Sequence, residues 1–147
     1  MNATITSTAH YVPEKVLTNS DLEKLVDTSD EWIKSRVGIN QRHVVSDGEA
    51  SSDMSTKVAH SLLEKRGISA ANIDVIIIGT VTPDHPTPST AAIVQNNIKA
   101  ENAWAFDLSA ACSGFLYALE TGAKFIESGQ YKTIMIIGVD TMTSILD

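Results

Sequence analysis

The sequence predicts an α/β layered fold, in which a mostly parallel sheet is covered by helices on both faces. Three observations predict it. Short β-rich runs alternate with helical patterns along the chain. Two of those runs, "DVIIIGTV" and "TIMIIGVD", are apolar without alternation, as strands covered on both faces must be. The segments between the later strands carry helix start and stop signals, which suits crossover helices joining parallel strands.

The elements follow in order. Ala3–Val12 ("ATITSTAHYV") reads as a first strand. Thr18–Val26 opens with capping residues and reads as a short helix. Thr28–Arg36 reads as another, with Thr28 and Glu31 in capping-box spacing. Ile39–Val45 looks extended. Ser51–Gly67 is a well-punctuated helix, with serine at its start, Lys65 and Arg66 in its last turn and Gly67 as its stop. Asp74–Val81 is a buried-type strand and Thr82–Ser89 a proline-rich loop. A helix is expected over Ser89–Ile98 and a strand over Ala103–Leu108. A longer helix should begin near Cys112 and end at Gly129, before the second buried-type strand, Thr133–Asp140. No repeat or internal linker is evident. The last strand has no closing helix or edge strand after it, so the chain is expected to be one piece of a longer protein.

A chain of 147 residues has the length of one ordinary domain. With 43% hydrophobic and 20% charged residues it can bury a core. Eleven basic against eighteen acidic residues give a net charge of −7, which argues against nucleic-acid binding. "MNATITSTAHYVPEKV" has neither a basic segment nor an apolar core of a signal peptide, and no aliphatic run is long enough to span a bilayer. The single cysteine cannot form an intrachain disulfide. These features favour a soluble cytoplasmic protein.

That cysteine stands in "FDLSAACSGFLYAL". Ala110-Ala111-Cys112-Ser113-Gly114 has small residues on both sides of the thiol, where a strand would turn sharply into a helix. Free amide groups and the helix dipole stabilise a thiolate at such a place. No charged residue occurs from Cys112 to Leu119, so the first two turns are expected to be dry and the helix largely buried. A lone cysteine is otherwise a small buried hydrophobe. A nucleophile also needs a base and an orienting partner. Among His10, His43, His60 and His85, the loop residue His85 is the best local candidate, with His60 placed mid-helix and half-exposed. None of the four shows metal-ligand spacing, and phosphate-loop and dinucleotide fingerprints are absent, so neither a metal nor a cofactor is expected.

"TSDEWIKSR" places Trp32 and Arg36 four residues apart, on one helix face. An indole beside a guanidinium makes a flat cationic surface suited to stacking on a purine and pairing with phosphate. Thr28, one turn earlier, could add a hydroxyl. A tryptophan packed on the core with an arginine at a helix end fits the same spacing.

Together "VDTSDEWIKSRVGINQRH", "TPDHPTPSTA" and "FDLSAACSGFLYAL" resemble the β-ketoacyl-acyl-carrier-protein synthase III family, thiolase-fold condensing enzymes that start bacterial fatty-acid synthesis. The blocks agree in order across essentially the whole chain. The resemblance implies that Cys112 attacks the thioester of an acyl-coenzyme A and that malonyl-acyl carrier protein then condenses with the acyl-cysteine, losing CO2. It implies that Thr28, Trp32 and Arg36 hold coenzyme A, a substrate and not a cofactor. It places Thr87 and Met142 at the acyl pocket. The loop position matching Thr87 reaches across a dimer interface in the family, and a phenylalanine there resembles short-primer members, so threonine implies room for primers larger than acetyl. Family members are about twice as long, in two similar halves, with a catalytic histidine and asparagine in the second half. Residues 1–147 are therefore expected to be a truncated N-terminal half-domain, inactive in condensation by itself and prone to self-association. Acyl-coenzyme A, malonyl-acyl carrier protein and a second copy in a homodimer are the implied partners, with no nucleic acid and no membrane. Another thiolase-fold acyl-coenzyme A condensing enzyme, or a non-catalytic binding or assembly fragment, are the alternatives.

Overall fold

Ten regular elements carry residues 2–145, the part of the chain described by a computed structural model. They are β1 (Lys15–Thr18), α1 (Asn19–Leu22), α2 (Asp30–Val37), β2 (Gln41–Val44), α3 (Ser51–Arg66), β3 (Val75–Gly79), α4 (Thr90–Asn97), β4 (Trp104–Leu108), α5 (Gly114–Glu127) and β5 (Ile134–Gly138).

β1 and β2 form an antiparallel ribbon, and β4, β3 and β5 form a parallel sheet in that order, with β3 in the middle. The run "VIIIG" explains the central position, because all of its residues are buried. Successive side chains of a strand point to opposite faces. Ile76 and Ile78 pack among residues of α3 and α4, including Ala59 and Val94. Val75 and Ile77 pack with Ala118 and Phe125 of α5. The sheet is thus covered on both faces, and each fully buried isoleucine contributes about 1.5–3 kcal/mol of hydrophobic stabilisation. Capping by chain-distant carboxylates locks the layers together. Asp107 of β4 accepts from Thr90 N and Ala91 N at the start of α4, both at 2.8 Å, and Asp84 accepts from Ser52 N at the start of α3 (2.9 Å).

Three sequence expectations are corrected. Ala3–Val12 is not a strand: residues 2–12 join no ladder, and the first strand is β1. β-propensity alone does not make a strand without a partner edge. The segment is held instead by Lys65 donating to Thr8 O (3.0 Å) and by Tyr11 donating to Glu49 (2.8 Å). The helix expected over Thr18–Val26 stops at Leu22, although Thr18 and Asp21 do form a capping box. The second helix is capped by Ser29, whose Oγ accepts from Trp32 N, and not by Thr28. The remaining elements fall where the sequence places them, within a few residues. Among the described residues, no helix is long and apolar enough to cross a membrane.

Candidate active site

The three parallel strands end at one rim, and the chain segments that leave them there carry Cys112, Thr87 and Met142. Outside the carboxyl ends of parallel strands is where open α/β sheets bind ligands. β4 leads into the turn that holds the cysteine. After Leu108 the backbone passes through Ala110 (φ −150°, ψ 26°) and Ala111 (φ 45°), and Cys112 lies in the 3₁₀ turn Ala111–Ser113 directly before α5. A left-handed alanine is uncommon and costs on the order of 1–3 kcal/mol, so it persists only where packing dictates it. The packing is visible. A methyl group built on Gly79, the last residue of β3, would lie 2.8 Å from the carbonyl carbon of Gly114 and 3.1 Å from Phe115 N. The end of the central strand and the start of α5 therefore touch backbone to backbone, which forces the tight turn between β4 and α5. α5 docks through a stripe of small residues one turn apart, Gly114, Ala118 and Gly122.

Cys112 is exposed. It stands at a helix N-terminus as expected, but the helix is not largely buried and its first turns are not dry. Phe115, Leu116 and Tyr117 are exposed, while α5 turns its small-residue stripe and Phe125 to the sheet. No side chain caps the first amides of α5, whereas α1, α2 and α4 are capped by Thr18, Ser29 and Ser89. The turn engages amides of its own instead, Ser113 N donating to Ala110 O (3.0 Å) and Gly114 N donating to Ala111 O.

Among the described residues, no hydrogen bond joins a histidine to Cys112. His60 is exposed in mid-α3. His85 is exposed in the β3–α4 loop, beside a recess shared with Thr80, Asp107 and Ser109. The Asp107 carboxylate is engaged by the α4 amides, and among the described residues no hydrogen bond orients His85. No group of side chains suited to a metal occurs among the described residues.

Trp32 and Arg36 are both exposed, one turn apart on α2, with half-buried Thr28 in the turn before it. Thr87 and Met142 are exposed, Thr87 in the loop after β3 and Met142 in the 3₁₀ turn after β5. That turn meets the β1–β2 ribbon where Thr143 Oγ1 accepts from Val45 N (3.4 Å).

What fixes α2 is Asn19, a residue the sequence reading passed over. Its side chain is 1% exposed. Nδ2 donates to Asp30 Oδ1 (2.8 Å) and to Ile39 O (2.9 Å), and Oδ1 accepts from Arg42 (2.6 Å). One amide thus ties α1, both ends of α2 and β2. Lys34 and then Asn19 hold the Asp30 carboxyl below its ordinary range. Asn19→Ala should lower stability by about 1–3 kcal/mol, because it strands buried polar partners. It should also let the Asp30 carboxyl titrate at higher pH. A lowered carboxyl adds stability above its unfolded value, near pH 4, that is lost as the pH falls. The variant should therefore show a shallower acid loss at this site, read from Asp30 by NMR titration beside a urea melt. Unchanged values for both would show that Asn19 holds nothing.

Other proteins carry this arrangement. Residues 106–147, from β4 through the elbow to β5, match the family model of 3-oxoacyl-[acyl-carrier-protein] synthase III. The whole chain is 60% identical to the β-ketoacyl-[acyl-carrier-protein] synthase III of Chlorobaculum tepidum, and 99% of it aligns at 56% identity with that of Streptococcus sanguinis. It covers 45% and 44% of those two proteins, so the chain spans less than half the length of the curated relatives it matches. The crystal structure of the Aquifex aeolicus 3-oxoacyl-[acyl-carrier-protein] synthase III superposes with a TM-score of 0.93 at 45% identity, over 97% of this chain and 46% of that one. The chain belongs to the β-ketoacyl-acyl-carrier-protein synthase III family and corresponds to the N-terminal part of its members.

Proposed function

We propose that the full-length protein is a condensing enzyme that starts fatty-acid synthesis, with Cys112 as its nucleophile. The Cys112 thiolate attacks the thioester carbonyl of an acyl-coenzyme A, and coenzyme A leaves as the thiol. Malonyl-acyl carrier protein then loses CO2, and the carbanion so formed attacks the acyl-cysteine carbonyl. The cysteine thiolate departs and a β-ketoacyl carrier protein is released. The observation that carries this reading is the exposed thiol in the tight turn directly before α5, in a chain 60% identical to a synthase of this kind. An amide donor at the elbow would stabilise the oxyanion of each tetrahedral step.

Thr28, Trp32 and Arg36 bind coenzyme A in this reading, with the indole stacked on the adenine and the guanidinium on phosphate. Thr87 and Met142 border the acyl chain and favour primers longer than acetyl. The protein works in the cytoplasm as a homodimer, with acyl-coenzyme A and acyl carrier protein as partners and neither nucleic acid nor membrane, and it needs no cofactor.

The test is release of CO2 and formation of β-ketoacyl carrier protein from acyl-coenzyme A and malonyl-acyl carrier protein by the full-length protein. Acyl transfer to Cys112 without condensation would favour a different acyl-coenzyme A enzyme of the same fold. Trp32→Ala and Arg36→Ala should each raise KM for acyl-coenzyme A about tenfold with kcat little changed. The penalty should vanish with an acyl thioester of N-acetylcysteamine, which has no nucleotide. Equal penalties on both substrates would remove these two side chains from the nucleotide site.

A further inference from the structure

The loops that leave β3 and β5 are tied together at a single oxygen. Asp140 Oδ1 accepts from Val81 N (2.8 Å), Thr80 Oγ1 (3.1 Å) and Thr82 Oγ1 (3.1 Å). The two hydroxyls spend their only protons there and so act as acceptors for amides. Thr80 Oγ1 accepts from Thr82 N (3.1 Å), and Thr82 Oγ1 accepts from Thr141 N (2.8 Å). Ser51 Oγ of α3 donates to Thr82 O (2.7 Å), anchoring the network to the helix layer. Ser51, Thr80, Thr82 and Thr141 are all buried. A carboxylate with this many directed donors is a strong, orientation-specific clamp.

Two apolar side chains flank the clamp, one on each loop. Val81 follows Thr80 and Met142 follows Thr141, and they are 39% and 46% exposed. They stand at the sheet end from which the β4–α5 turn presents Cys112. The clamp fixes the spacing of these two side chains through the backbone of their loops.

We propose that Asp140 is a positioning residue for primer selection. By pinning the Val81 and Met142 loops to one another, it sets the width of the space an acyl chain must occupy beside Cys112. The inference rests on the reading that this protein transfers acyl groups to Cys112. Removing the carboxylate strands one amide and two hydroxyls, so the loops part and discrimination by chain length falls. Asparagine keeps an acceptor oxygen at the same place and should preserve the clamp.

The experiment measures kcat/KM of the full-length protein for acetyl-, isobutyryl- and octanoyl-coenzyme A, in wild type, Asp140→Ala, Asp140→Asn and Thr82→Val. Hydrogen exchange at Val81 and Thr141 is followed in parallel. Asp140→Ala should compress the ratio between the best and worst primer by about tenfold, in the range a methylene or two can command. It should also speed exchange at both amides. Asp140→Asn should keep both near wild type, and Thr82→Val, of the same shape, should follow Asp140→Ala. A loss of folded protein scales all primers alike and cancels in the ratio. An unchanged ratio in Asp140→Ala, or in Thr82→Val should the alanine variant not fold, overturns the proposal. Absence of acyl transfer from any primer in wild type overturns the proposed function first, and this inference with it.

Discussion

Cys112→Ala should abolish acyl transfer by the full-length protein, lowering kcat/KM for the overall condensation by roughly 10^3 to 10^6, the range seen when a covalent nucleophile is removed. Intact-mass measurement after incubation with an acyl-coenzyme A should show wild type heavier by one acyl group and the variant unchanged. The substitution has little structural cost, because the side chain is exposed and makes no disulfide. The urea midpoint should therefore stay close to wild type, which separates lost chemistry from lost fold. Cys112→Ser keeps the shape and a nucleophilic atom, but an alcohol holds its proton far more tightly than a thiol. It should retain at most about a few percent of wild-type turnover. Turnover of Cys112→Ala within tenfold of wild type, or an acyl adduct found on another residue, would sink the assignment.

The elements that the sequence disclosed are those decided locally. Buried strands announce themselves as unbroken apolar runs, and "VIIIG" and "IMIIG" are β3 and β5. Ser89 caps α4, and Gly67 closes α3, whose N-cap is Ala50, so both helices are bounded to within a residue or two. What was hidden depends on partners distant in the chain. Residues 2–12 have strand composition but no ladder. The exposure of Phe115, Leu116 and Tyr117 follows from which face α5 turns to the sheet, and its small-residue stripe is the signal that could have given it. The same holds for the site. The sharp turn at Cys112 was legible because small residues between a strand and a helix mark such a turn. Trp32 and Arg36 were legible as a pair, and their exposure came only with the structure. Asn19 and Asp140 were not legible at all. Each acts by hydrogen bonds reaching 11 to 60 residues along the chain, and an isolated asparagine or aspartate in a sequence reveals no such reach. Gly79 and Gly138 left a trace that could have been read: both strands end in glycine on the same rim.

Gly79→Ala should be the most damaging of the glycine substitutions, costing about 3 kcal/mol or more and misplacing Cys112. Forcing an extra methyl group into a packed interior typically costs about 1–3 kcal/mol when side chains can yield. Here the obstacle cannot rotate away. The new methyl would stand 2.8 Å from the Gly114 carbonyl carbon and 3.0 Å from its oxygen, all backbone atoms at the first turn of α5. The helix start must retreat from the sheet, and the elbow between β4 and α5 moves with it. The other tight glycines meet softer neighbours. At Gly138 the methyl would meet the Phe115 side chain at 3.0 Å, and at Gly122 it would meet the far end of Ile136 at 2.7 Å. At Phe115 the ring can turn away but its Cβ, the nearest atom, cannot, whereas the Ile136 terminal methyl has rotamers to use. The expected order of destabilisation is therefore Gly79 above Gly138 above Gly122, read as loss of urea midpoint in the full-length protein. Gly79→Ala should in addition change the rate of Cys112 alkylation by iodoacetamide, since the turn that presents the thiol is displaced, while Gly122→Ala, at the middle of α5, should leave that rate near wild type. A Gly79→Ala protein with wild-type midpoint and wild-type alkylation would mean that the contact between the strand end and the helix start is not what holds the cysteine in place.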